Sequence, residues 1–164
     1  MVQHISEWLV NTRLSGFVTG HAWVWPACET LHFIGLALLI GNVGLLDLRL
    51  LGVEKRLPVA PLGRFVRWAI LGFIINLVTG ILFFVGNPFQ YVTNIAFGYK
   101  LAFMALAGIN VAVFYATGIN RQTELLGPGD DAPLAAKVTA GASLLLWIGV
   151  MYMGRMLPYI GNSF

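Results

Sequence analysis

Glu29 and His32 stand one helical turn apart in a stretch otherwise dominated by Leu, Ile, Ala and Gly. Ionisable side chains inside an apolar segment are costly, so by default they point to function. Two further histidines, His4 and His21, fall near the same end of the apolar stretches, as do Met1, Met151, Met153 and Met156. Met104 lies at a similar depth. Imidazole and thioether are the ligands that hold b-type haem or copper. The pattern predicts a cofactor site with His32 as first ligand and Glu29 beside it. The second ligand would be His4, His21, Met104, Met153 or a group from another subunit, because no later apolar stretch contains a histidine. Lys100 and Arg155, at the same ends of their stretches, suit haem propionates or a quinone headgroup.

Each of these residues also has a plainer role. Glu29 in the first turn of a helix would be held by free N–H groups and the helix dipole, with His32 as its hydrogen-bond partner. His4 and His21 would be solvated at the surface. Lys100 and Arg155 would reach out to lipid phosphates, and Cys28 would pack as a small apolar side chain. Met151, Met153 and Met156 do not share one helical face, which opposes a three-methionine copper site.

The elements that must position these residues are apolar helices. Apolar residues make up 58% of the 164 and charged residues 10%; mean hydropathy is +0.79. Soluble domains carry about a quarter charged residues, so water cannot be the solvent for most of this surface. About 20 apolar residues cross a bilayer core, and four stretches qualify: 26–50, 65–86, 99–119 and 134–157. Pro26, Asn87-Pro88 and Gly127-Pro128-Gly129 punctuate them. Residues 3–17 place Ile5, Trp8, Leu9, Thr12 and Phe17 at near-helical spacing, and predict an amphipathic helix lying in the membrane interface. The expected fold is all-α, a four-helix transmembrane bundle forming a single integral membrane domain over 1–164. The polar residues within the spans, Asn42, Asn76, Thr79 and Asn110, are expected to bond across helices. Gly35, Gly41, Gly44, Gly72, Gly80, Gly108, Gly141 and Gly149 are expected to let helices approach closely.

The basic residues set the expected orientation. Arg49, Lys55, Arg56, Arg64, Arg67, Arg121 and Lys137 flank one side, and Arg13, Lys100 and Arg155 the other. The positive-inside rule then places both termini outside, in the periplasm of a bacterial inner membrane. Asp47 is expected to pair with Arg49, Arg64 or Arg67. No basic n-region precedes an apolar h-region at the N-terminus, so the chain is expected to keep it.

Several functions lack candidate residues. There is one cysteine, too few for a disulfide framework or a cysteine-based metal site. No phosphate loop, nucleophile triad or zinc-protease motif occurs, so at most a redox subunit fits an enzymatic role. No basic tract interleaved with aromatics suits nucleic acid.

The runs Trp25-Pro26-x-x-Glu29-x-x-His32-x-x-Gly35, Gly41 and Asp47-Leu48-Arg49-Leu50-Leu51-Gly52 carry a resemblance, with Thr79-Gly80, Phe83-Phe84 and Phe97-x-x-Lys100. Together they resemble a bacterial family of small, uncharacterised four-helix integral membrane proteins, a domain of unknown function. The resemblance implies the fold and an inner-membrane location, and brings no activity. A looser similarity to small membrane cytochromes b and copper-resistance membrane proteins rests on a histidine near the outer end of a bundle. Two functions are therefore expected. One is a binding or electron-transfer module with b-type haem, or else copper or quinone, at His32. The other is a non-catalytic accessory subunit of a membrane complex or homo-oligomer, with the lipid bilayer as the common partner.

Overall fold

The computed structural model describes residues 2–160, and Met1 lies outside them. Among the described residues nine α-helices follow one another: α1 (Val2–Val10), α2 (Arg13–Gly20), α3 (Val24–Leu51), α4 (Val59–Leu62), α5 (Val66–Gly86), α6 (Pro88–Val92), α7 (Ile95–Ala116), α8 (Ile119–Glu124) and α9 (Leu134–Met156). Among the described residues there is no strand. Four of these helices, α3, α5 with its α4 lead-in, α7 and α9, are long and apolar enough to cross a membrane. Little of their surface is buried inside the protein, down to 6% for the most apolar window of α7. The rest is an apolar surface suited to lipid. At about 1.5 Å per residue, the 28 residues of α3 exceed a hydrocarbon core of about 30 Å, so α3 tilts or projects beyond it.

The spans run alternately up and down. α3 packs along α5 and also along α9, and α7 packs along α9. The α3–α5 contact is a backbone-to-backbone approach at Gly35 and Gly72. A Cβ on Gly72 would stand 2.5 Å from the Gly35 carbonyl and 2.7 Å from the Leu39 nitrogen. At α7–α9, a Cβ on Gly149 would meet the Phe103 ring at 3.1 Å. Gly41, Gly80 and Gly108 have no neighbour within 4 Å of a built Cβ, so not every glycine in a span marks a helix contact. Leu39, Ala69, Ala107, Trp147 and Val150 form the mid-bundle core, with Met104 packed against them.

Helix ends explain where the structure departs from expectation. The segment 3–17 is two helices, not one. Thr12 caps α2, its Oγ1 accepting from Ser15 N–H at 3.2 Å, and Asn11 bonds back to Glu7 O. That capping chemistry breaks the helix although the apolar spacing continues through it. α1 packs on α6, and α2 on α5 and α3. The contact faces use small side chains, buried Ser6 and Ser15, while Ile5, Trp8 and Phe17 stay exposed. α3 begins at Val24 rather than Pro26, which puts Glu29 in its second turn, beyond the free N–H groups. α7 begins at Ile95, because Asn94 Oδ1 accepts from Ala96 N–H at 2.9 Å. It ends before Gly118, whose φ of +74° a helix cannot contain.

Arg49 ties the loops at the opposite end from α1 and α2. Its guanidinium is 1% exposed and donates to Leu57 O, Gly127 O and Asp130 O. It therefore does not pair with Asp47. Residues two apart point to opposite sides of a helix, and Arg64 and Arg67 are exposed. The same loops are joined by Gly129 N–H to Lys55 O at 2.8 Å and by Val59 N–H to Leu126 O at 3.2 Å. Asp131 bridges Lys55 and Lys137 at 2.8 and 2.6 Å. Those two ammonium groups hold its carboxyl down at about 2.

Candidate functional site

His32 lies on the face of α3 that meets α5. Its Nδ1 is 2.7 Å from Thr79 Oγ1. That hydroxyl donates within its own helix, to Ile75 O at 2.8 Å. With the hydroxyl proton so used, Nδ1 carries the ring proton and donates to Oγ1, and Nε2 keeps its lone pair. This tautomer is assigned from the bonding pattern. Phe83 stands 5.7 Å from the His32 ring, and Trp25 5.1 Å from Phe83, centroid to centroid. Cys28 is buried beside them with Val18 and Val24, a packing residue.

Lys100 is half-buried on α7 at the same depth, near enough for its charge to act on the His32 ring. Its ammonium lies against Gly154 of α9, where a Cβ would stand 3.4 Å from Nζ. Among the described residues it has no hydrogen-bond or ion-pair partner. Glu29 is exposed and makes no hydrogen bond to His32, so the partner of His32 is Thr79 on the second span rather than Glu29 or a residue of spans three and four. The Glu29 carboxylate acts instead on Tyr91, whose phenol is pushed up first by burial and then by that charge. Tyr91, Phe84 and Phe97 form an aromatic trio that links α6, α5 and α7.

The other predicted residues are spread out. The His4 side chain is 89% exposed and lies 3.8 Å from Glu7. His21 is exposed, its Nδ1 3.0 Å from Phe17 O, its ring against Phe17 and Trp23. Among the described residues no hydrogen bond or ring contact joins either to His32. Met104 is committed to the mid-bundle core, Met153 is half-buried on α9, and Arg155 is exposed in its last turn. No group of three or more His, Cys, Asp or Glu that could hold a metal occurs among the described residues.

Sequence reasoning missed a second polar cluster, at the Arg49 end. A cavity of about 100 Å³ lies between α3, α5, α7 and α9, and Asn42, Asp47, Asn110, Thr139 and Ser143 line part of it. Asp47 is 6% exposed, and its Oδ2 is buried without a hydrogen-bond partner. Asn110 and Asp47 were visible as polar residues in apolar helices. Their meeting with Ser143 requires the packing of α3, α7 and α9.

Four long apolar helices with polar groups turned inward define a multi-pass membrane protein. The profile of a family of unknown function, DUF6644, matches residues 7–162, and the chain belongs to that family. No curated protein matches the chain. No solved structure matches it either.

Proposed function

We propose that this chain is a small membrane-embedded binding or electron-transfer module whose working residue is His32, with a b-type haem as the ligand. The observation that carries the reading is the Thr79 bond. An imidazole held by its Nδ1 proton presents Nε2 in a fixed direction, the arrangement that ligating histidines use. Lys100, half-buried and without an acidic partner among the described residues, suits an anionic edge such as a propionate, and Arg155 stands one residue beyond the Gly154 that Lys100 touches. Met153, or a group from a second subunit, is the remaining source of a second ligand. A quinone is the second reading, favoured by a single imidazole and a single ammonium beside an aromatic rim. Copper has less support, because among the described residues His32 belongs to no group of three or more His, Cys, Asp or Glu.

The test is cofactor content. Purified wild type should show a haem Soret band, and His32→Ala should lose it by at least ~10-fold; Thr79→Val, which removes the orienting bond, should weaken retention about 10-fold. Equal haem in wild type and His32→Ala, or none in either, would remove this reading. An accessory-subunit role would then lead, supported by Gly80 and Gly108, where an added Cβ would meet no other helix within 4 Å among the described residues.

The charge distribution supports a bacterial inner-membrane location with both termini periplasmic. In a Cys28→Ser background, a cysteine at Asn87 should react with an impermeant reagent outside intact cells, and one at Glu54 should not. Labelling of the Glu54 position from outside would reverse the orientation.

A further inference from the structure

The cavity at Asp47 is lined by side chains that leave oxygen lone pairs unused. Asn42 Nδ2 donates to Leu38 O, and Asn110 Nδ2 to Thr139 O at 3.0 Å. A carbonyl only accepts, so both amides are fixed in orientation, and both leave Oδ1 as a lone-pair site. Thr139 Oγ1 donates within its own helix, to Ala135 O or Ala136 O. Ser143 lines the cavity beside Asp47. Asp47 Oδ2 is left buried with no partner. A buried charge without compensation is strongly unfavourable.

The nearby cations are engaged elsewhere. Arg49 donates to Leu57, Gly127 and Asp130 carbonyls, and Lys55 and Lys137 hold Asp131. Arg64 and Arg67 are exposed, and Tyr115 is the other titratable group in the lining. The site therefore offers one carboxyl group, two amide oxygens and the hydroxyls of Thr139 and Ser143 in a mostly apolar lining. Hard cations take oxygen ligands, and sites for divalent ions usually gather more than one carboxylate. One carboxylate balances one positive charge. The cavity of about 100 Å³ has room for an ion with a water or two, at about 30 Å³ per water.

We propose that this cavity binds a monovalent metal cation of the sodium class, with Asp47 as the charged ligand and Asn42, Asn110 and Ser143 as neutral oxygen ligands. The site is separate from His32 and does not depend on what that residue holds. It gives the protein an ion-dependent state set by the packing of α3, α7 and α9.

The experiment uses the full chain in detergent at pH 8, with sodium chloride exchanged for choline chloride at constant ionic strength. Sodium should raise the melting temperature of the wild type saturably, by on the order of 5 °C well above the dissociation constant. Equilibrium dialysis with radioactive sodium should find one ion per chain. Asp47→Asn, which keeps the side-chain shape, should fold, melt in choline no lower than wild type, and show no sodium response. If Asp47→Asn does not fold, Asn110→Ala should bind sodium at least ~10-fold more weakly, as loss of a ligand to a charged group requires. An equal effect of sodium and choline, a sodium response kept in Asp47→Asn, or a wild type stabilised by acid but not by sodium would each overturn the proposal. The last outcome would mean that a proton alone occupies the carboxylate.

Discussion

Gly72→Ala is expected to force α3 and α5 apart and to lower stability by about 2–3 kcal/mol, the upper range for overpacking a tight contact. The added methyl would meet backbone, the Gly35 carbonyl at 2.5 Å and the Leu39 nitrogen at 2.7 Å. Neither can rotate away as a side chain can, so the helices must move. Thr79 lies on α5 two turns beyond Gly72, and His32 on α3 just before Gly35. The shift should therefore also lengthen the His32–Thr79 bond of 2.7 Å. Thermal unfolding in micelles measures the first effect, and the imidazole nitrogen chemical shift of His32 the second. Gly41→Ala is the control. Nothing lies within 4 Å of its added Cβ, so it should be neutral or slightly stabilising through helix propensity. Equal losses in the two variants would show that the α3–α5 backbone contact is not what matters.

Arg49→Ala is expected to be more damaging, with a loss of about 3–5 kcal/mol, typical of breaking a buried charged network. Three carbonyls from two loops would lose their donor at once. Arg49→Lys should recover only part of this. A single ammonium cannot reproduce a planar fork that reaches Leu57 with Nε and Gly127 and Asp130 with its terminal nitrogens. Amide hydrogen exchange should localise the loss to the loops around Leu57 and Gly127, leaving the His32 end protected. Uniform loosening of all four spans, or a lysine variant as stable as wild type, would contradict the assigned role.

What was legible in the chain was what depends on local composition. Apolar runs of membrane-spanning length mark all four spans, because lipid solvation sets both length and polarity. The ends were harder, since they turn on single capping groups. Asn94 moves the start of α7, and Thr12 splits the N-terminal segment. Partners distant in sequence were not legible. Thr79 lies 47 positions from His32, and nothing in either neighbourhood announces the pairing. Arg49 looked like the natural partner of Asp47 because the two are close in sequence, yet helical geometry sends them to opposite sides. With Arg49 directed at the loops, the carboxylate is left facing the cavity, and so the polar cluster there escaped a reading based on charge pairs.

The Arg49 network also sets an order of events during synthesis. Gly127 and Asp130 lie 78 and 81 residues after Arg49. At about 5–20 residues per second, they leave the ribosome roughly 4–16 s later. For that interval the guanidinium has only Leu57 O from its own hairpin, and the first two spans must reside in the membrane with an unfinished joint. Arrival of the second hairpin closes it. A chain that stalls or is cut before Gly127 lacks two of the three residues whose carbonyls hold the guanidinium, and leaves the joint between the two hairpins open.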